Sequence, residues 1–299
     1  MSARDEPTAD PDRAHRAAVV ATLAAAALWG LGTPAAKTLI GGFDPALLAG
    51  LLYLGMGGAL ALVFVVQRTA APRFSAREFG WLGVSVVCGG ILAPFLLVWG
   101  LARTPATVTS LLLNAEVVLT ALIARFGFGE HYGWRLSVGL LLIASGSAML
   151  GGAATQPADL VPSLAVVGAC LLWAIDNNAT RQIAHADASF IGLVKGLVAG
   201  ACNTLVALGA GASWPGARPV GAALAIGAVS YGLSFGLYIR GLRALGAART
   251  GALFASAPFA GAALAVALLG EAVTARLLVA AAAMATGVYI HLSEHRARP

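Results

Sequence analysis

The chain has 299 residues, 59% of them hydrophobic and 11% charged. Soluble domains carry roughly 25% charged residues, so this composition excludes an ordinary soluble core. The net charge of +6 could mark a nucleic-acid partner, but its distribution along the chain points to membrane topology instead.

Residues 1–16 are polar, mixed in charge and interrupted by Pro7 and Pro11. They are expected to form a disordered cytoplasmic N-terminus. A transmembrane helix needs ~20 mostly apolar residues. Ten such stretches follow, at 17–38, 45–67, 79–101, 105–127, 134–152, 160–183, 188–211, 219–243, 249–269 and 273–292. The first is too long for the apolar region of a signal peptide. The expected fold is an all-α polytopic membrane protein with ten transmembrane helices, no soluble domain and a short cytoplasmic tail at 293–299. With the N-terminus inside, fourteen of the nineteen basic residues fall on the cytoplasmic side. Lys37, Arg103, Arg218 and Arg276 fall on the other side, and Lys195 lies within a span. This is the positive-inside pattern, with both termini cytoplasmic. The lipid bilayer, not nucleic acid, is the expected macroscopic partner.

Span one carries LWGLGTPAAK at 28–37, with Trp29 and Thr33 on one helical face. Span four places Thr109, Glu116 and Thr120 on one face and Ser110 and Asn114 on another. Span six is richer. Trp173, Asp176, Asn177 and Thr180 are spaced i, i+3, i+4 and i+7, which puts an indole, a carboxylate, an amide and a hydroxyl on one face. Span seven holds Lys195 and the series Gly192, Gly196, Gly200 and Asn203, and small residues at this spacing let helices approach closely. Span eight adds Tyr231, Ser234 and Tyr238 at i, i+3 and i+7, aromatic rings with polar tips that suit a partly wet cavity. Pro34, Pro94 and Pro258 fall inside spans. Such breaks are tolerated in membranes where they line protein or a cavity.

The second half repeats the first. LWGLGTPAAK reappears in weak form as LWAIDNNATR at 172–181. Residues 100–130 align with 241–271, nine of 31 positions being identical, and both segments end in Gly-Glu. Chance identity in so biased a chain is roughly 10%. Each half, 17–152 and 160–292, contains five spans, with a periplasmic linker at 153–159. An odd number of spans turns the second half upside down, so the repeats are expected to be inverted, an arrangement that points to secondary transporters.

Charges at bilayer depth cost at least ~2.5–3.5 kcal/mol each on insertion scales and are functional by default. Two arrangements of Glu116, Asp176 and Lys195 are open. In the first, all three line a substrate path, with Lys195 meeting a carboxylate of the substrate and an acidic group meeting an amine or carrying a coupling proton. Alternatively, Lys195 pairs with Glu116 or Asp176 and fixes helix register. Glu116 aligns with Ala257 in the repeat, so the architecture does not require it. Gly129-Glu130 and Gly270-Glu271 sit at span ends, where glycine terminates a helix and a carboxylate caps the next. Cys88, Cys170 and Cys202 lie within apolar spans and read as packing. No metal-ligand spacing, cofactor motif, P-loop, HExxH or G-x-S-x-G is present, so no enzyme is expected.

Ten spans in two halves, LWG…K in span one and Gly-Glu after spans four and nine resemble the EamA-type family of the drug/metabolite transporter superfamily. LLLNAEVVLTALIARFGFGE at 111–130 is the most specific piece, and the resemblance covers about 17–292. It implies an inverted-repeat carrier in a bacterial inner membrane, with a central cavity and small-molecule cargo. Matched to the family pattern, Trp29, Glu116, Trp173, Asp176, Asn177 and Lys195 are the cavity candidates, with Tyr53 where relatives often carry a basic residue. The expected function is alternating-access export of amino acids or similar metabolites, with Glu116 or Asp176 as proton-coupling candidates. The rivals are a multidrug or cationic-compound exporter, in which Lys195 would not matter, and a non-transporting membrane scaffold or sensor.

Overall fold

The computed structural model describes residues 11–67, 72–129, 133–151, 157–183 and 186–295, and among these residues no strand occurs. In chain order the helices are α1 (His15–Gly42), α2 (Pro45–Val66), α3 (Ala76–Leu101), α4 (Ala106–Phe128), α5 (Trp134–Leu150), α6 (Leu160–Arg181), α7 (Ala188–Gly209), α8 (Ala217–Leu245), α9 (Arg249–Leu269) and α10 (Ala275–Ile290). Eight are long and apolar enough to cross a membrane; α5 and α10 are apolar over shorter stretches.

The ends of the chain are more helical than expected. The backbone is already helical at Pro11, inside the stretch read as disordered. Proline is pre-organised for a first helical turn, and the alanines that follow propagate it. Residues 1–10 lie outside the described residues. The last helix runs to His295, three residues into the expected tail. Most of the expected linker at 153–159 also lies outside the described residues, and helix resumes at Pro157.

Helix starts are encoded locally. The Asp44 side chain accepts from the backbone N–H groups of Ala46 and Leu47, with Pro45 in the first turn of α2. Ser75 and Glu78 form a reciprocal capping box at the start of α3. Asp187 caps α7 by accepting from Ser189 N–H. Each carboxylate or hydroxyl satisfies N–H groups that have no intrahelical acceptor.

Local irregularities recur 141 residues apart, the offset seen in the sequence. A seven-residue π-helical segment interrupts α3 at Val86–Leu92 and α8 at Gly227–Leu233. Both α4 and α9 also break about a third of the way along, after Leu112 and after Phe254, and resume at Ala115 and Ala257, here at an offset of 142. Both then end on a left-handed glycine, Gly129 at φ 69° and Gly270 at φ 66°, a conformation in which a side chain is strained.

Between apolar helices in lipid there is no hydrophobic drive, so close packing must hold them. The face Gly192, Gly196, Gly200 of α7 meets α2. A Cβ added at Gly196 would lie 2.5 Å from the backbone of Gly57, and one at Gly200 would lie 2.6 Å from Leu54 N. Asn203, on the same face, donates to the carbonyl of Ile91 at 3.1 Å, satisfying an acceptor in the irregular part of α3. Gly196→Ala is therefore expected to destabilise the protein by ~1–3 kcal/mol. Gly58→Ala, whose Cβ would point into open space, should be neutral or slightly stabilising. Thermal unfolding of the two variants in detergent checks this, and equal melting temperatures would remove the close-approach argument.

The bundle has two unlike ends. At the end holding Lys37 and Arg103, one core cluster joins α1, α2, α3, α4, α7, α8 and α9 through Ala36, Leu47, Leu101, Ala106, Ala207, Val220 and Ala265. Polar ties reinforce it. Lys37 Nζ donates to the carbonyls of Leu101 and Thr104 at the end of α3. The Glu271 carboxylate accepts from Ala106 N–H and Thr107 N–H, each at 2.7 Å. The expected cap thus exists, but on α4, far away in sequence, rather than on the next helix. Glu130, its counterpart, lies outside the described residues.

Candidate functional site

A cavity of about 330 Å³ lies between the helices at mid-depth, within the size range of small-molecule sites. Its wall draws on α1, α2, α3 and α4 and on α6, α7, α8 and α9. It reaches Thr180 in the last turn of α6, Ala188 at the first turn of α7 and Phe254 near the start of α9. It therefore extends toward the end that carries Arg181, Arg243 and Arg249, and stops at the packed core of the opposite end.

Trp173, Asp176, Asn177 and Thr180 all face this cavity. Asp176 is buried. Its Oδ2 pairs with Lys195 Nζ. Its Oδ1 accepts from Ser85 Oγ and, at 3.1 Å, from Thr180 Oγ1. A buried charge needs both a counter-ion and hydrogen bonds, and Asp176 has both. Of the two partners the sequence left open for Lys195, it pairs with Asp176.

The neighbourhood of α3 makes this possible. A π-helical segment widens the turn and shifts backbone groups out of the regular ladder. The Gly89 carbonyl accepts from Tyr53 OH at 2.8 Å and from Trp173 Nε1 at 3.0 Å. These two bonds lock both rings, so that the cavity meets their apolar parts. Gly89 itself lies against Asp176, and a Cβ there would fall on the carboxylate.

Glu116 is placed differently. It sits at the resumption of α4 after the break and lines the cavity. Asn177 Nδ2 donates to its Oε1 at 2.7 Å and lies 3.4 Å from Thr120 Oγ1. Asn178 Nδ2, one step round, holds the Thr120 carbonyl at 3.2 Å. Asn114, at the break, is buried and donates to the Leu111 carbonyl at 3.0 Å.

The other wall is aromatic. Trp29 packs edge-on against Tyr231, centroids 5.2 Å apart, and against Phe254 at 6.0 Å. Tyr231 lies 6.2 Å from Tyr53. Thr33 is buried beside Trp29 on the same lining.

The family model for EamA-like transporters matches twice, over residues 16–152 and 161–293. The chain belongs to the EamA-like transporter family. It is 36% identical over 101 residues to the probable 4-amino-4-deoxy-L-arabinose-phosphoundecaprenol flippase subunit ArnE of Enterobacter sp. (strain 638), a match covering 34% of this chain and 90% of that one. An uncharacterized transporter of Methanothermobacter thermautotrophicus is 27% identical over 184 residues, 59% of this chain and 53% of that one. One from Synechocystis sp. is 27% identical over 124 residues, 42% of this chain and 37% of that one. The matches thus span about half or less of these two relatives. A solved crystal structure, 19% identical, superposes with a TM-score of 0.68 over 94% of this chain and 98% of that one, a likeness of fold.

Within this EamA-family chain, nine of the eleven residues singled out in the sequence line the cavity: Trp29, Thr33, Asn114, Glu116, Trp173, Asp176, Asn177, Lys195 and Tyr231. Ser234 and Tyr238 do not. Ser234 is buried and donates to the Ala25 carbonyl at 2.7 Å, tying α8 to α1. Tyr238 stands behind Phe254, centroids 4.8 Å apart. The π-helical segment ending at Leu233 rotates the face that follows it, so the i, i+3, i+7 rule fails there. Ser85, Gly89 and Phe254 were missed. A lone serine and a Gly-Gly pair in the apolar run of span three were the available signals for the first two.

Proposed function

We propose that this chain is a secondary carrier that moves a small polar solute through the central cavity by alternating access. In this reading its ten helices all cross the membrane, as two inverted five-helix repeats, with the arginine-rich end and both termini in the cytoplasm of a bacterial cell. The supporting observation is the cavity itself. It lies between helices of both halves, carries Glu116, Asp176 and Lys195 at bilayer depth, extends toward one end and is packed shut at the other. A scaffold has no use for such a chamber.

Small metabolites bearing an amine are the first cargo class, amino acids among them. The 4-amino-4-deoxy sugar in the name of the flippase relative also carries an amine. Export across the inner membrane is the direction proposed. Proton coupling falls to Glu116 or Asp176, and of the two Glu116 has lone pairs unfilled by the protein. Transport that ignores an imposed pH gradient would remove the coupling part of the reading.

Counterflow in proteoliposomes tests the carrier. Vesicles holding purified protein are preloaded with single amino acids or amines in turn, and entry of the labelled compound is followed. Saturable accumulation is expected, and Asn177→Trp, which adds bulk at an exposed point of the lining, should abolish it. A folded, monodisperse protein that gives no counterflow with any compound would overturn the carrier reading.

A further inference from the structure

We infer that the cargo is a small organic cation, held by Glu116 against the aromatic wall of the cavity, and that a carboxylate on the cargo works against binding. This rests on the carrier reading for its transport part but stands on separate observations.

The first is charge. The cavity lining holds two carboxylates and one ammonium, Glu116, Asp176 and Lys195. Lys195 and one Asp176 oxygen form an ion pair, and the other Asp176 oxygen accepts from Ser85 and Thr180. As a unit that pair is neutral. Glu116 has the amide of Asn177 on one oxygen and makes no ion pair among the described residues. One carboxyl group with no basic partner among the described residues therefore faces the chamber, ionised when a cationic cargo supplies the counter-charge.

The second is the aromatic part of the lining. Trp29, Tyr231 and Phe254 form a connected cluster on the same lining. Ring faces attract ammonium and guanidinium groups, Trp most strongly. Tyr53 and Trp173 bind Gly89 through their polar atoms, so their rings add apolar surface rather than donors. A cation finds a counter-charge and aromatic surface here. An anion finds a neutral pair and an uncompensated carboxylate, and a zwitterion gains one contact and loses the other. A carboxylate in a low-dielectric chamber is strongly disfavoured without its own positive partner.

The test is a matched series that shares one ring: phenethylamine, phenylalanine and 3-phenylpropionate. Binding is read by quenching of tryptophan fluorescence in purified protein, and transport by counterflow. The expected order is phenethylamine first, phenylalanine weaker and 3-phenylpropionate undetected. Glu116→Gln should weaken phenethylamine binding by about tenfold or more, with the melting temperature unchanged and Glu116→Asp restoring part of the affinity. Tighter binding of phenylalanine or 3-phenylpropionate overturns the inference, as does equal affinity in Glu116→Gln or no phenethylamine binding by folded protein. Saturable phenethylamine binding without counterflow of any compound would sink the carrier reading and leave the cation site standing. Counterflow of phenylalanine alone would do the reverse.

Discussion

Replacing Lys195 alone by Met is expected to destabilise this protein far more than replacing Lys195 by Met and Asp176 by Asn together. Asp176 is buried, and Lys195 is mostly so, with 16% of its side chain exposed. Removing one member of a buried pair leaves an uncompensated charge and typically costs about 3–5 kcal/mol, whereas replacing both with neutral groups of similar size is often close to neutral. The Asp176→Asn side chain keeps an acceptor for the hydroxyls of Ser85 and Thr180, so the local bonds survive in the double variant. Asp176→Asn alone strands the ammonium of Lys195 and should resemble Lys195→Met. Melting temperatures of the four proteins in one detergent form a complete cycle. Additive losses, with the double variant worst, would mean that the pair is not the unit described here. The cycle also bears on cargo. If the pair only fixes α6 against α7, the double variant retains phenethylamine binding, because Glu116 is untouched.

Much of this arrangement was legible in the sequence, for a physical reason. Hydropathy over some twenty residues locates helices without knowledge of their partners. The face bearing Trp173, Asp176, Asn177 and Thr180 could be read because α6 is regular throughout that stretch. Polar groups that lipid cannot satisfy must look inward. The same logic misled on α8. Tyr231, Ser234 and Tyr238 obey helical spacing on paper, yet a π-helical segment ends between the first and second of them. The π-helical segment itself left no clear sequence signal. Nor could the partner of Lys195 be read, since the choice between Glu116 and Asp176 depends on the rotation of α4 and α6, which packing sets. Glu271 shows the same limit. Its role as a cap was legible from the Gly-Glu pair, but its target, Ala106 and Thr107, is 165 residues away for the first of them.

That long-range cap leads to the other large effect. Glu271→Ala is expected to make Thr33 accessible from the end of the bundle that is now sealed. The carboxylate of Glu271 binds two N–H groups at the start of α4, and an anion there also interacts favourably with the helix dipole. Lys37 holds the end of α3 on the other side of the same short connection. Together they clamp the α3–α4 turn beneath the core formed by Ala36, Leu47, Leu101 and Ala106. A carrier that exposes its cavity at this end must part these groups. Weakening the clamp should therefore shift the population toward that form, by up to the ~2 kcal/mol that such a terminal charge contributes. The readout is a cysteine at position 33 with the three native cysteines replaced. A membrane-impermeant maleimide is applied from each side of sealed vesicles. With Glu271 intact, labelling should come from the arginine-rich side. In Glu271→Ala it should appear from the opposite side as well, and excess cargo should slow it. If Glu271→Ala lowers the melting temperature but leaves position 33 protected, the residue caps a helix and nothing more. A clamp predicts accessibility that changes with little loss of stability, because its release shifts the balance between two folded forms rather than toward the unfolded chain.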